Sequence, residues 1–175
     1  MSTVGERIES KRQSNMQMKN VQLLPIDQSG AVNLPSVSFP ELMKQTCAMT
    51  ASFYRVVGFE PPWIGYVSVS DGQPVGGGGC KGAPRDGRVE IAYFTLPEFE
   101  GQGFASATAR ELIRIAKRAA PEVVVAAQTL PIPNASNTLL KKLGFSFHGA
   151  LQHPEDGEVW EWRLDSPLGA LESPK

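Results

Sequence analysis

Gly101 and Gly103 stand directly in front of a stretch that reads as helix from Phe104 onward. At a helix start the backbone N–H groups lack intrahelical partners, and the positive end of the macrodipole lies there. Residues without side chains at that point open the main chain to an anion, phosphate above all. Two phosphate sites fit poorly. A nucleoside-triphosphate loop needs a Gly-Lys-Ser/Thr ending that is absent, and the dinucleotide fingerprint needs a third Gly or Ala where this chain has Ser106. On this stretch alone, a turn made from glycines with no ligand remains the alternative.

Other reactive side chains are few. Cys47 and Cys80 are the only cysteines and His148 and His153 the only histidines, with no Cys-x-x-Cys, so neither a zinc site nor a disulfide scaffold is expected. A reducing, cytoplasmic setting fits that usage. The two thiols read as packing, and neither histidine is assigned a role.

The 175 residues suit one domain with a full core, and 41% hydrophobic with 20% charged residues is ordinary for a globular protein. A formal net charge of −1 gives no global pull toward nucleic acid or an anionic membrane, so no such partner is expected and an anion must be met locally. No apolar run approaches the ~18 residues of a membrane span. The first residues carry Glu6, Arg7, Glu9, Lys11, Arg12 and Lys19 without an apolar run, and are expected to form a mobile arm over 1–19 and not a signal peptide. The domain then runs over 20–166, with a tail over 167–175.

The helix at Phe104 needs a frame. "NVQLLPI" (Asn20 to Ile26) reads as a first strand. "SFPELMKQTCAMTASFYRVVG" reads as a helix opened by a capping box, Ser38 with Glu41, and ended at Gly58. Its apolar stripe Leu42, Thr46, Met49, Phe53 and Val57 is expected to face the core, the alternative being a substrate-groove wall. "PWIGYVSVS", "PVGGGGCK" and "RVEIAYFTL" are extended runs separated by Asp71-Gly72 and Asp86-Gly87, a pattern for an antiparallel meander. The glycines Gly76 to Gly79 in its middle strand either make room for bulky neighbours such as Trp63, Tyr66, Tyr93 or Phe94, or leave a bare floor for a substrate.

Phe104 to Ala120 follows as a helix with Ala105, Ala109, Leu112, Ile113, Ala116 and Ala120 on one face. Pro121 stops it. "VVVAAQT" (Val123 to Thr129) has the continuous apolar character of a strand buried on both faces, so a crossover to a parallel strand is expected. A short helix capped by Asn134 and ended by Gly144, the strand "FSFHGAL", the turn "HPEDGE" and the alternating "VWEWRL" close the chain.

In that order, from about Trp63 to Leu164, these pieces resemble the GNAT superfamily of N-acetyltransferases. "VEIAYFTLPEFEGQGFASAT" and "NASNTLLKKLGF" look most like the branch of the ribosomal-protein N-terminal acetyltransferases. The resemblance implies a single α/β (α+β) domain, with a mixed, mostly antiparallel sheet, one parallel pair splayed around the ligand, and helices on both faces. It implies acetyl-CoA as cosubstrate, no metal, and a primary-amine acceptor that is either a protein N-terminus or a small molecule; a homodimer is left open. A noncatalytic acyl-CoA-binding module is the rival reading.

The family signature Gln/Arg-x-x-Gly-x-Gly/Ala lands on Glu100, Gly101, Gln102, Gly103, Phe104 and Ala105. The resemblance implies a pyrophosphate on the N–H groups of Gly101 to Ser106 and a pantetheine arm along the backbone of Phe94, Thr95 and Leu96. It also implies a free N–H near Phe94 for the thioester carbonyl and a contact from Asn134. Glu100 departs from the signature by placing a carboxylate there.

Acetyl transfer to an amine needs the amine neutral, and one base suffices for its proton. The resemblance puts a carboxylate at Glu90 in that role; a strand-edge glutamate without one is the alternative. Many relatives carry a tyrosine as the acid where this chain has Leu140, and Ser136 is the substitute near the leaving thiolate. Ser136 reads equally as a first-turn helix residue.

Overall fold

Two Asp-Gly pairs bend the first half of the sheet. Asp71 and Gly72 have φ of 50° and 74°, and Asp86 and Gly87 have 49° and 73°, the successive positive φ values of the tight turn whose twist matches a hairpin. The computed structural model describes residues 18–165; the C-terminal tail and all but the last two residues of the N-terminal arm lie outside them.

The strands are β1 (Gln22–Pro25), β2 (Gly65–Ser70), β3 (Gln73–Cys80), β4 (Arg88–Thr95), β5 (Val124–Thr129), β6 (Ser146–His153) and β7 (Gly157–Leu164). They form one sheet in the order β1-β2-β3-β4-β5-β7-β6. Only β4 and β5 pair in parallel, and that pairing covers three positions: Arg88, Val89 and Glu90 against Val124, Val125 and Ala126. β5 lies mid-sheet between β4 and β7, which accounts for its apolar run. The expected mixed sheet with one parallel pair is the fold found.

Helix α1 spans Glu41–Val57, α2 Phe104–Ala119 and α3 Ala135–Lys142. Alternation along the strands shows that α1 and α2 cover opposite faces. A Cβ built on Gly78 would meet Leu112 of α2, whereas one on Gly65, the pairing partner of Gly79, would meet Thr50 and Tyr54 of α1. The core between sheet and α2 holds Ala109, Leu112, Ile113 and Ala116, all at 0% exposure. α3 starts on Asn134, whose side chain accepts the N–H of Asn137 at 3.0 Å, and Gly144 follows its end with φ 90°.

Two expectations for α1 are corrected. Its buried residues are Met43, Cys47, Ala51 and Tyr54, while Leu42, Met49 and Phe53 are 45%, 72% and 39% exposed. Both stripes have helical spacing. The deciding contact is Tyr54, whose hydroxyl donates to Ile26 C=O at 2.9 Å and accepts Gly65 N–H at 2.8 Å, turning that side of the helix to the sheet. The N-cap is Pro40, with no side-chain capping bond, so Ser38 does not form the expected capping box.

The glycine run is explained by main chain more than by bulky side chains. A Cβ on Gly76, Gly77, Gly78 or Gly79 would run first into the carbonyl oxygen of Phe94, Tyr66, Ala92 or Ile64 respectively. β3 is thus pressed between β2 and β4 at a distance only glycine allows.

Candidate active site

Where β4 and β5 part, a cleft of about 500 Å³ opens. Its walls come from the end of β4, the 3₁₀ turn Pro97–Phe99, the first turn of α2 and the first turn of α3. Phe94, Thr95, Gly101, Gly103, Phe104, Ala105, Ser106 and Ser136 line it, so eight of the twelve residues read from sequence come together.

Register decides which β4 N–H groups face this cleft. Lys81 N–H donates to Glu90 C=O, and Leu96 N–H to Val75 C=O, both at 2.8 Å. The alternation of antiparallel pairing therefore turns the main-chain groups of Glu90, Ala92, Phe94 and Leu96 toward β3, and those of Ile91, Tyr93 and Thr95 toward β5. Pairing with β5 ends at Glu90, so the N–H groups of Tyr93 and Thr95 point where, among the described residues, no strand lies opposite. The free N–H groups near Phe94 are those of its two neighbours, Tyr93 and Thr95, while the N–H of Phe94 faces β3. Leu96 is 1% exposed with its N–H already bonded, and does not line the cleft.

The side chains in the cleft fit an extended polar ligand. Thr95 Oγ1 is buried and has no hydrogen-bond partner among the described residues, a group that costs free energy until something meets it. Gly101 and Gly103 adopt φ of 70° and 91°, and a Cβ on Gly101 would meet nothing within 4 Å. Both glycines are therefore demanded by backbone conformation; Gly101 faces open space, and a Cβ on Gly103 would meet Lys19 Cγ at 3.6 Å. Phe104 closes the floor, edge-on to Phe99 with ring centroids 5.8 Å apart.

Phe99, Ala135 and Leu139, not singled out in the sequence, also line the cleft, as does Tyr93, which the sequence suggests only as a bulky neighbour of the glycine run. The spacing of Ala135 and Leu139, one helical turn apart and flanking Ser136, was the available signal. Burial pushes the Tyr93 hydroxyl up to about 12. Against a thiol near ~8.5, proton transfer from it would be uphill by several units, so Tyr93 can donate a hydrogen bond but is a poor acid. Leu140, where the resemblance places a tyrosine, is in the core at 0% exposure.

Three expected site residues stand apart. Gln102 is exposed and donates to Glu98 C=O at 3.2 Å. Asn134 caps α3 and is not among the lining residues. Glu90 lies on the α1 face, with Oε1 2.7 Å from Lys81 Nζ and Oε2 3.3 Å from Arg88 Nη2. It lines a small depression with Val57, Lys81 and Arg88.

Between that depression and the cleft is a second cavity, of about 230 Å³, on the α1 face. Its floor is Gly65, Gly79 and Ala92, its roof Thr46, Thr50 and Phe53, and Tyr93 and Phe94 line both it and the cleft. The exposed stripe of α1 thus supplies part of a groove wall, the alternative the sequence left open. Burial pushes both thiols up, that of Cys80 to about 12, which fits packing and not nucleophilic use. Among the described residues no group of three or more His, Cys, Asp or Glu side chains is placed to hold a metal.

The family model described as "Acetyltransferase (GNAT) domain" matches residues 34–146. No curated protein matches the sequence. Among solved structures, RimL, a ribosomal L7/L12 α-N-protein acetyltransferase in complex with coenzyme A, superposes with a TM-score of 0.61 at 14% identity, covering 85% of this chain and 96% of that one. A chain of the NatC complex bound to Gag peptide and CoA gives 0.55 at 16% identity, covering 84% and 99%. A streptothricin acetyltransferase from Bacillus anthracis str. Ames, described as putative and solved with acetyl coenzyme A, gives 0.53 at 16%, covering 65% and 68%.

Proposed function

The chain belongs to the GNAT acetyltransferase family, and from that premise we propose that it moves the acetyl group of acetyl-CoA to the amine of a peptide N-terminus bearing an uncharged side chain. One observation carries the cosubstrate: the gap beyond the Glu90–Ala126 pair presents the N–H groups of Tyr93 and Thr95 to a cleft that runs on to the bare start of α2. An arm of alternating amides can bond there as a strand would, and phosphates suit the N–H groups of Gly101 to Ser106. The N–H of Tyr93 or Thr95 would polarise the thioester carbonyl.

The acceptor is read from the second cavity. Tyr93 and Phe94 separate it from the cleft, so an amine in it reaches the thioester past β4. Among the described residues none that lines it is acidic, and the single charged one, Lys81, is paired with Glu90. A polyamine or an aminoglycoside carries several positive charges and would leave them without counter-charge there. A peptide N-terminus with a small or apolar first side chain suits Thr46, Thr50 and Phe53. Glu90, beside this cavity, takes the amine proton directly or through water, and Ser136 assists the departing thiolate.

The test is free-thiol release from acetyl-CoA with a panel of acceptors. Peptides with Ala, Ser or Met first are expected to react faster than spermidine, kanamycin or peptides with Asp or Lys first. Fast turnover of the polycations would favour the small-amine reading, and no thiol release with any amine would leave a binding module.

A further inference from the structure

Among the described residues Glu100 is the one charged side chain lining the cleft, and it has the wrong sign for phosphates. Cations must come from outside the lining set. Arg110 lies on α2, four residues after Ser106, and helical side chains lean toward the N-terminus of their helix. Its Nη2 donates to Ser106 Oγ at 3.2 Å, with both residues half-buried. Ser106 lines the cleft, so this bond holds the guanidinium beside the first turn of α2.

Of the other cations, Lys19 stands over the Phe104 ring, its Nζ 5.5 Å from the centroid. Arg114 is bonded to Glu111, Lys117 donates to Val123 C=O at 2.7 Å, and Arg88 and Arg163 hold Glu161. Among the described residues no carboxylate lies within 4 Å of Arg110, whose sole side-chain bond is to a neutral hydroxyl. A guanidinium presents a fork of donors matched to phosphate oxygens, and one neutral bond leaves most of that fork unused. The buried Oγ1 of Thr95 without a partner, in the same cleft, independently marks a ligand there.

Resting on the reading of this cleft as the acetyl-CoA site, we infer that Arg110 binds a phosphate of the cosubstrate's nucleotide end, supplying the positive charge that Glu100 withholds at the family's Gln/Arg position. Ser106 holds the guanidinium in place before the ligand arrives. The phosphate is either the pyrophosphate or the ribose 3′-phosphate.

Calorimetry of the full chain tests this with coenzyme A, dephospho-coenzyme A and S-acetylpantetheine. Arg110→Gln should weaken coenzyme A about tenfold and lower the salt dependence of binding, while the KM for S-acetylpantetheine, which has no phosphate, stays that of the wild type. Arg110→Lys should recover part of the loss. If the loss persists with dephospho-coenzyme A, the partner is the pyrophosphate; if it vanishes, the partner is the 3′-phosphate. Unchanged coenzyme A affinity in Arg110→Gln, with an unchanged melting temperature, overturns the assignment, as does an equal loss with S-acetylpantetheine. A wild-type chain that does not bind coenzyme A overturns the cosubstrate reading itself, a separate outcome.

Discussion

Arg88 reaches Glu161 across an intervening strand: from β4 it passes β5, donating from Nε to Oε1 at 3.2 Å and from Nη2 to Oε2 at 2.5 Å on β7. Glu161 is 1% exposed and takes a further bond from Arg163 Nε at 2.6 Å. The same Arg88 Nη2 lies 3.3 Å from Glu90. A buried acid on β7 is thereby tied to the candidate base on β4, at the level where the parallel pairing ends. Beyond that level the strands part.

Breaking this bridge from one side should be costly, because a buried carboxylate left short of counter-charge destabilises by roughly 3 kcal/mol. Arg88→Met is expected to lose about that much in urea unfolding. The double variant Arg88→Met with Glu161→Met should recover much of it, since no buried charge is then stranded. A loss below about 1 kcal/mol in the single variant would mean that water or Arg163 satisfies Glu161 unaided.

The same carboxylate makes stability depend on pH. Burial alone would raise the Glu161 carboxyl, but the hydrogen bonds and charges of Arg88 and Arg163 outweigh it and hold the group below its ordinary 4.5. A depressed acid means that the unfolded chain binds more protons at low pH. Its contribution is present above about pH 4.5 and is lost as pH falls through the folded value. Thermal melts from pH 6 to pH 3 should show a shallower acid decline for Glu161→Gln than for wild type. Parallel declines would remove Glu161 from the acid transition.

Positive φ at Gly103 allows strain to be separated from ligand contact. Gly87 has φ 73° with nothing within 4 Å of a built Cβ, and lies outside the cleft-lining set. Gly103 has φ 91°, and a built Cβ meets only Lys19 Cγ, at 3.6 Å. Alanine at either should cost about 1–2 kcal/mol of stability from the left-handed conformation alone. Only Gly103→Ala should also weaken coenzyme A, and Gly103→Val should abolish binding. Normal binding by a folded Gly103→Val would move the phosphates off this turn.

How much of this was legible varies with the physics of each element. Asp71-Gly72 and Asp86-Gly87 fix their hairpins locally, so the meander could be read from four residues. The crossover from β4 through α2 to β5 followed from periodicity and Pro121. The burial face of α1 could not, because Leu42/Thr46/Met49/Phe53 and Met43/Cys47/Ala51/Tyr54 repeat equally well, and a long-range bond from Tyr54 to Ile26 decides between them. The same holds in the candidate site. Gly101, Gly103 and Ser136 announce themselves by type, whereas the free N–H groups of Tyr93 and Thr95 depend on register across β3 and β5. The role of Arg88 and Glu161, 73 residues apart, has no local signal.

Glu90 Oε1 is held 2.7 Å from Lys81 beside the acceptor cavity, and Ser136 lines the cleft on the far side of β4. If Glu90 takes the amine proton, Glu90→Gln should lower turnover by roughly 10²-fold or more at neutral pH, the usual range for loss of a general base. Part of that loss should return as pH rises past the α-amine's ~7.7–8.0, where the acceptor deprotonates unaided. Ser136→Ala should cost about tenfold at most, because a thiolate with a pKa near ~8.5 leaves with little help. Coenzyme A affinity should be nearly unchanged in both variants. A pH–rate profile of Glu90→Gln that matches the wild type throughout would take Glu90 out of the reaction and leave it as the outer member of the Arg88–Glu161 network, with water receiving the proton.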